Sequence, residues 1–238
     1  MPVSVLSLLG LGFVLGLKHA LDADHLAAVS TMAAERRSLL GSSMIGALWG
    51  IGHTLSLMIA GVLVVFLHFE ISERAGKALE FGVGLMLIVL GVHALIRVAR
   101  GAKIHMHAHE HEGHWHTHPH LHDAHAQDGP HTHHGLRLGA RPLLVGMVHG
   151  MAGSAALTLL VLATIPSPVA SLLYIAIFGI GSIGGMMIMS ALFALPARLT
   201  ARRFSRANFA LRGLAGLFSL GFGLLMIYQI AFVDHLLM

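Results

Sequence analysis

Six long apolar stretches, separated by short polar breaks, organise this chain. They run from Val3 to about Ala34, Leu39 to Phe69, Ala75 to about Val98, Leu143 to Ile165, Val169 to about Leu195, and Phe209 to Val233. Each reaches the roughly 20 residues that a helix needs to cross a bilayer. Pro166 and Pro168 separate the fourth stretch from the fifth, and Pro196 is expected to end the fifth. The first stretch has no basic n-region and runs directly into Lys18-His19, so it reads as a retained helix and not as a cleaved signal peptide. The pattern predicts an all-α membrane protein of six transmembrane helices. Residues 1–100 hold three helices, 101–141 form a polar segment, and 142–238 hold three more.

The two halves resemble each other. Gly16-Leu-Lys-His19 matches Gly146-Met-Val-His149. Trp49-Gly-Ile-Gly52-His53 matches Phe178-Gly-Ile-Gly181-Ser182. Gly84 and Gly91 match Gly216 and Gly223. The offsets are 130, 129 and 132 residues. Three helices per half is an odd number, so the second half must enter from the opposite side. This predicts two inverted repeats with a substrate site near the midplane between them, and with helices one and four adjacent at the pseudo-twofold axis.

Composition agrees with the bilayer reading: 55% of residues are hydrophobic and 11% charged, against about 25% charged in an ordinary soluble domain. The formal net charge of +4 comes from Lys and Arg beside apolar runs, which marks topology and argues against nucleic-acid binding. Arg36 and Arg37, then Arg97, Arg100, Lys103, Arg137 and Arg141, then Arg198, Arg202, Arg203, Arg206 and Arg212 all fall on one side; Arg74 and Lys77 fall on the other. The positive-inside rule makes the richer side cytoplasmic. A multi-pass cell-membrane protein with both termini outside and the 101–141 segment in the cytosol is expected.

The chain has no cysteine and 20 histidines. Thiolate sites are excluded, and a metal would have to be held by nitrogen, oxygen or methionine sulfur. The sharpest cluster is Lys18-His19-Ala20-Leu21-Asp22-Ala23-Asp24-His25, inside the first apolar stretch. Each ionised side chain at bilayer depth costs about 2.5–3.5 kcal/mol on insertion scales, so such a cluster signals function. On an ideal helix His19, Asp22 and His25 share about 120° of arc, whereas Asp24 points elsewhere. Asp24 joins them only if the helix bends or unwinds. Imidazole with carboxylate suits Ni²⁺, Co²⁺, Zn²⁺ or Fe²⁺. The plainer alternative is an interfacial helix end in which Lys18 pairs with Asp22.

His53 lies within the second stretch, which has no Asp, Glu, Lys or Arg from Leu39 to Phe69. It is a further metal candidate, against a packing role. His149, the repeat mate of His19, is a candidate ligand or ligand-orienting partner. His68, His93 and His235 read as interfacial, and Met186, Met187 and Met189 as packing residues. The run from His105 to Asp123 alternates histidine with other residues. Its composition cannot build a core, which predicts disorder without metal and loose binding of several ions.

The sequence Gly-Leu-Lys-His19-Ala-Leu-Asp-Ala-Asp24-His25-Leu-Ala-Ala-Val resembles the signature of the nickel/cobalt transporter family. Gly-Ile-Gly-His53-Thr54 resembles that family's second histidine motif. The resemblance implies a metal role for His19, Asp24 and His25. Two departures stand out: typical members carry the motif in the second of eight helices, and the later motif, here His149-Gly-Met-Ala-Gly-Ser154, lacks a carboxylate. The chain is more similar to a shorter, permease-like branch associated with urease accessory proteins. That implies a cytosolic metal chaperone or a metalloenzyme maturation system as partner, besides the lipid bilayer and the ion.

These readings make the chain a secondary transporter of a divalent transition metal, foremost Ni²⁺ or Co²⁺, and not an enzyme. No resident cofactor is expected, the ion being the substrate. No Gly-rich phosphate loop points to an ATPase of its own, and His-Glu-x-x-His is absent. A Zn²⁺ or Fe²⁺ transporter, a metal exporter, and a membrane metal- or haem-binding redox protein are the alternatives.

Overall fold

The computed structural model describes residues 5–33, 38–67, 72–101, 105–111, 114–120, 135–152, 165, 167–201, 204–234 and 236. Seven α-helices are present among them: α1 (Val5–His19), α2 (Ala23–Ala33), α3 (Leu39–Leu67), α4 (Glu73–Gly101), α5 (Gly135–Gly150), α6 (Pro168–Ala201) and α7 (Ser205–Tyr228). A π-helical turn, Gln229–Val233, extends α7. Helices α3, α4, α6 and α7 are long and apolar enough to cross a membrane. The pair α1–α2, bent by 57°, makes a fifth span if counted as one. The chain is therefore a helical, multi-pass membrane protein.

Where the elements depart from the sequence-based expectations, backbone chemistry explains why. The first apolar stretch is not one helix: it breaks between His19 and Ala23. Leu21 N–H donates to Lys18 O at 2.9 Å and Asp22 N–H to His19 O at 3.1 Å, a tight turn that redirects the chain. The fourth stretch behaves alike. Helix α5 starts at Gly135, passes through Pro142, and ends at Gly150, where Ala152 N–H donates to His149 O at 3.1 Å. The same turn thus follows His19 and its counterpart His149. The rest of the expected fourth helix, 153–164, lies outside the described residues.

Pro196 does not end α6, which continues to Ala201. Thr200 Oγ1 donates to the Pro196 carbonyl at 2.8 Å, and Asn208 Nδ2 to the Ala197 carbonyl at 2.5 Å, supplying partners near the helix end. The histidine-rich segment, expected to be disordered, contains an antiparallel hairpin of β1 (His105–His111) and β2 (His114–His120). Its register sets His105 opposite His120, His107 opposite His118, His109 opposite His116, and His111 opposite His114. Histidine at every second residue has the period of a strand, and this register gathers those positions on one face. Residues 121–134 lie outside the described residues, as do His68 and His235.

Helices α3 and α6 pack along each other; α1 lies on α6, α5 on α3, and α4 on α7. Glycines permit these contacts, since small residues let helices meet backbone to backbone. A methyl group at Gly16 would overlap the Phe178 carbonyl, and one at Gly146 would overlap the Trp49 carbonyl. A methyl at Gly181 would strike the Phe13 carbonyl, and one at Gly52 the Leu143 carbonyl. In α4 and α7, Gly84 lies against Gly223 and Gly91 against Gly216. Each contact thus recurs between the matching positions of the other half. Helices α1 and α5, expected side by side, do not pack along their length, because each glycine face is taken by the second helix of the opposite half. Short α2 sits inside, touching α3, α4, α6 and α7. Its residues Ala27, Ala28, Val29 and Ala33 join Trp49, Leu87 and Met186 in the core. Ser30 and Thr31 satisfy their hydroxyls on the Ala27 and Ala28 carbonyls.

Candidate functional site

The break between α1 and α2 decides the site. It leaves the His19 carbonyl inside the bundle with the Asp22 N–H of the turn at 3.1 Å in place of a helical partner, and open to a second donor. His25 supplies it: its Nδ1 lies 2.7 Å from His19 O. A carbonyl only accepts, so Nδ1 carries the proton, and Nε2 keeps its lone pair. That Nε2 is buried and has no hydrogen-bond partner among the described residues.

The break also brings in Asp24. Its Oδ1 accepts the His25 backbone N–H at 2.9 Å in the first turn of α2, where a negative charge suits the helix N-terminus. Its Oδ2 lies 3.0 Å from His149 Nε2. The side chain of Asp24 is 26% exposed and that of His149 1%.

On the other side of His25, His19 Nδ1 lies 2.7 Å from Asp22 Oδ2. The carboxylate accepts, so the free lone pair of a neutral His19 is on Nε2, 3.2 Å from His53 Nε2. Asp22 itself is half exposed. His53 and His25 are fully buried. The rings converge: centroids are 4.3 Å apart for His19 and His25, 5.4 Å for His25 and His53, and 4.2 Å for His25 and His149.

Two groups of three side chains offer ligand atoms within 4.8 Å of one another, namely His19, His25 and His53, and Asp24, His25 and His149. Two ligands on one ion at about 2.1 Å lie about 3.0–3.4 Å apart in octahedral or tetrahedral arrangements. The 3.2 Å and 3.0 Å contacts fall in that range. The donor set, four imidazoles with a carboxylate, suits Ni²⁺, Co²⁺ and Zn²⁺. Asp22 reaches the cluster only through His19.

The sequence reading did not single out the walls. Trp49 presents its ring edge-on to His25 and His149, at 5.3 and 5.6 Å, and Phe178 lies 5.4 Å from His19. These two aromatics occupy matching places in the halves, the available signal for them. It also passed over Glu80, a carboxylate within the third apolar stretch. Glu80 and Asp234 line a cavity of about 250 Å³, with Asp24, Phe222 and Gln229. Insertion cost alone would have flagged Glu80. His93 is exposed on α4, Met186 is buried and Met187 exposed.

The NicO family profile, described as high-affinity nickel-transport protein, matches residues 5–196. The urease accessory protein UreH of Bacillus sp. (strain TB-90) is 37% identical over 234 residues, 98% of this chain and 96% of that one. Two Arabidopsis thaliana proteins, chloroplast proteins FOR GROWTH AND FERTILITY 1 and 2, are each 27% identical over 90% and 91% of this chain; it spans 56% and 55% of their lengths. No solved structure matches.

Proposed function

Because the chain belongs to the NicO family of high-affinity nickel-transport proteins, we propose that it is a secondary transporter carrying Ni²⁺, and Co²⁺ as a second substrate, through the buried His/Asp cluster. The convergence of His19, Asp24, His25, His53 and His149 at a break between membrane helices carries this reading. Such residues are costly in a bilayer and are retained where they bind. Ligands must be deprotonated to hold the ion, so loading releases protons.

The transport fold is two inverted three-helix repeats, in which α1, α3 and α4 correspond to α5, α6 and α7. The reciprocal glycine contacts and the equivalent turns after His19 and His149 support it. Both termini face outward and the histidine-rich segment faces the cytosol, as the distribution of Arg and Lys favours. The likeness to a protein named as a urease accessory protein supports delivery of nickel to a urease maturation system.

The test is metal uptake by proteoliposomes of the purified chain, with Ni²⁺, Co²⁺ and Zn²⁺ in competition. Ni²⁺ accumulation suppressed by Co²⁺ more than by Zn²⁺ is the expected result. Accumulation of Zn²⁺ in preference to both would overturn the substrate assignment.

A further inference from the structure

Resting on the transporter reading, we propose that the cluster is two alternative ion positions sharing one ligand, and that the ion passes between them by changing partners around His25 Nε2. The first position is Asp24–His25–His149 and the second is His19–His25–His53.

His25 is common to both positions. Its Nδ1 is committed to the His19 carbonyl at 2.7 Å, which leaves Nε2 as the single nitrogen it can offer. An imidazole nitrogen has one in-plane lone pair and binds one cation. Both groups of ligand atoms include His25, so they cannot each hold a complete ion together. The remaining ligands fall into two separate pairs, His149 with Asp24 at 3.0 Å and His19 with His53 at 3.2 Å. The pairs differ in chemistry: one contains a carboxylate, the other only imidazoles.

Access distinguishes them as well. Asp24 lines the cavity of about 250 Å³ that Glu80 and Asp234 also face. His19 and His53 do not line it. An ion arriving through this cavity reaches the carboxylate position first. It then exchanges Asp24 and His149 for His19 and His53 while Nε2 of His25 stays bound, so it is never without protein ligands. The His19 carbonyl holds the opposite nitrogen of the His25 ring throughout. Each position also exchanges a proton: the His149 Nε2 proton that Asp24 accepts must leave before that nitrogen ligates, and the proton between His19 Nε2 and His53 Nε2 must leave before the second pair does.

X-ray absorption on Ni²⁺ bound to the purified full-length protein tests this, because it counts coordinated imidazoles. His53→Ala is expected to retain Ni²⁺ with two imidazoles and a carboxylate. Asp24→Asn is expected to retain it with three imidazoles. His25→Ala breaks both positions and should weaken binding by more than the 10–100-fold typical of a lost ligand-orienting partner. Four imidazoles in the wild type and three in both His53→Ala and His149→Ala would mean one ion surrounded by every ligand, and would overturn the proposal while leaving the transporter reading intact. Loss of all binding in both His53→Ala and Asp24→Asn, with melting temperatures unchanged, would overturn it too. Should His53→Ala not fold, His53→Gln and Asp24→Asn carry the comparison. A wild-type protein that binds no Ni²⁺ or Co²⁺ would remove the underlying reading itself.

Discussion

His25 Nδ1 donates to the carbonyl of His19, six residues earlier, at 2.7 Å. An intact helix pairs each carbonyl with the amide four residues on. The contact therefore exists only because the helix stops at His19 and restarts at Ala23. This hydrogen bond joins that of the Asp22 N–H on the same carbonyl, fixes the His25 tautomer and leaves its other nitrogen for the neighbouring ligands.

The orienting role of Asp22 follows. Its carboxylate lies 2.7 Å from His19 Nδ1 and outside both groups of prospective ligands. Asp22→Asn should leave the protein folded and transport active, with the apparent KM for Ni²⁺ raised about 10-fold or more, as for outer partners of metal-binding histidines. An unchanged KM would show that His19 needs no such partner.

Reciprocal glycine contacts make a packing prediction. Gly16→Val and Gly146→Val should each destabilise the protein by about 1–3 kcal/mol or more, since the added side chain meets backbone that cannot move aside. Gly10→Val, with nothing within 4 Å of an added methyl, should be silent. Thermal melts in detergent compare the three. Equal melting for all would contradict the close approach of α1 to α6 and of α5 to α3.

The cavity predicts an effect on ion capture. Glu80→Gln combined with Asp234→Asn should raise KM several-fold at low salt, with less effect at high salt and little change in maximal rate, because half-buried charges at a cavity still steer encounter and are partly screened. Uptake measured against Ni²⁺ concentration at two ionic strengths separates these cases. A fall in maximal rate alone would place these carboxylates in the transit step.

The histidine-rich segment should tune transport without performing it. Deleting 105–134 should preserve insertion and leave metal-specific uptake, with an altered response to excess metal. The intact protein should bind several additional Ni²⁺ ions weakly. Free histidine titrates near 6.5 and only the neutral ring coordinates. That extra binding should therefore weaken between about pH 7 and about pH 5.5. Equilibrium dialysis of both proteins across this range checks the difference. An inserted but wholly inactive deletion would make the segment part of the ion's path.

Much of this architecture could be read from residue order, because a bilayer demands length and apolarity and both are visible one residue at a time. The signature around His19 and His25 even carried the condition for its own geometry, since Asp24 could join only at a bend. Where the bend falls was not legible: Ala20-Leu21-Asp22 has no Gly or Pro to mark it, and the break is held by a contact to His25. The end of α5 at Gly150 was passed over although a glycine marks it, because the run stays apolar on both sides. Pro196 misled in the other direction, because a proline within a membrane helix removes one N–H without ending the run. The hairpin was missed through attention to composition, when the two-residue period of histidine was already the period of a strand.

The central claim is that Ni²⁺ crosses the membrane through the His/Asp cluster. Its most direct test is uptake of Ni²⁺ into proteoliposomes by the wild type, His25→Ala and His53→Ala, with equal amounts of inserted protein. The wild type is expected to accumulate Ni²⁺, His25→Ala to stay at the level of empty vesicles, and His53→Ala to lose most of its rate. Wild-type rates in both variants would contradict the account.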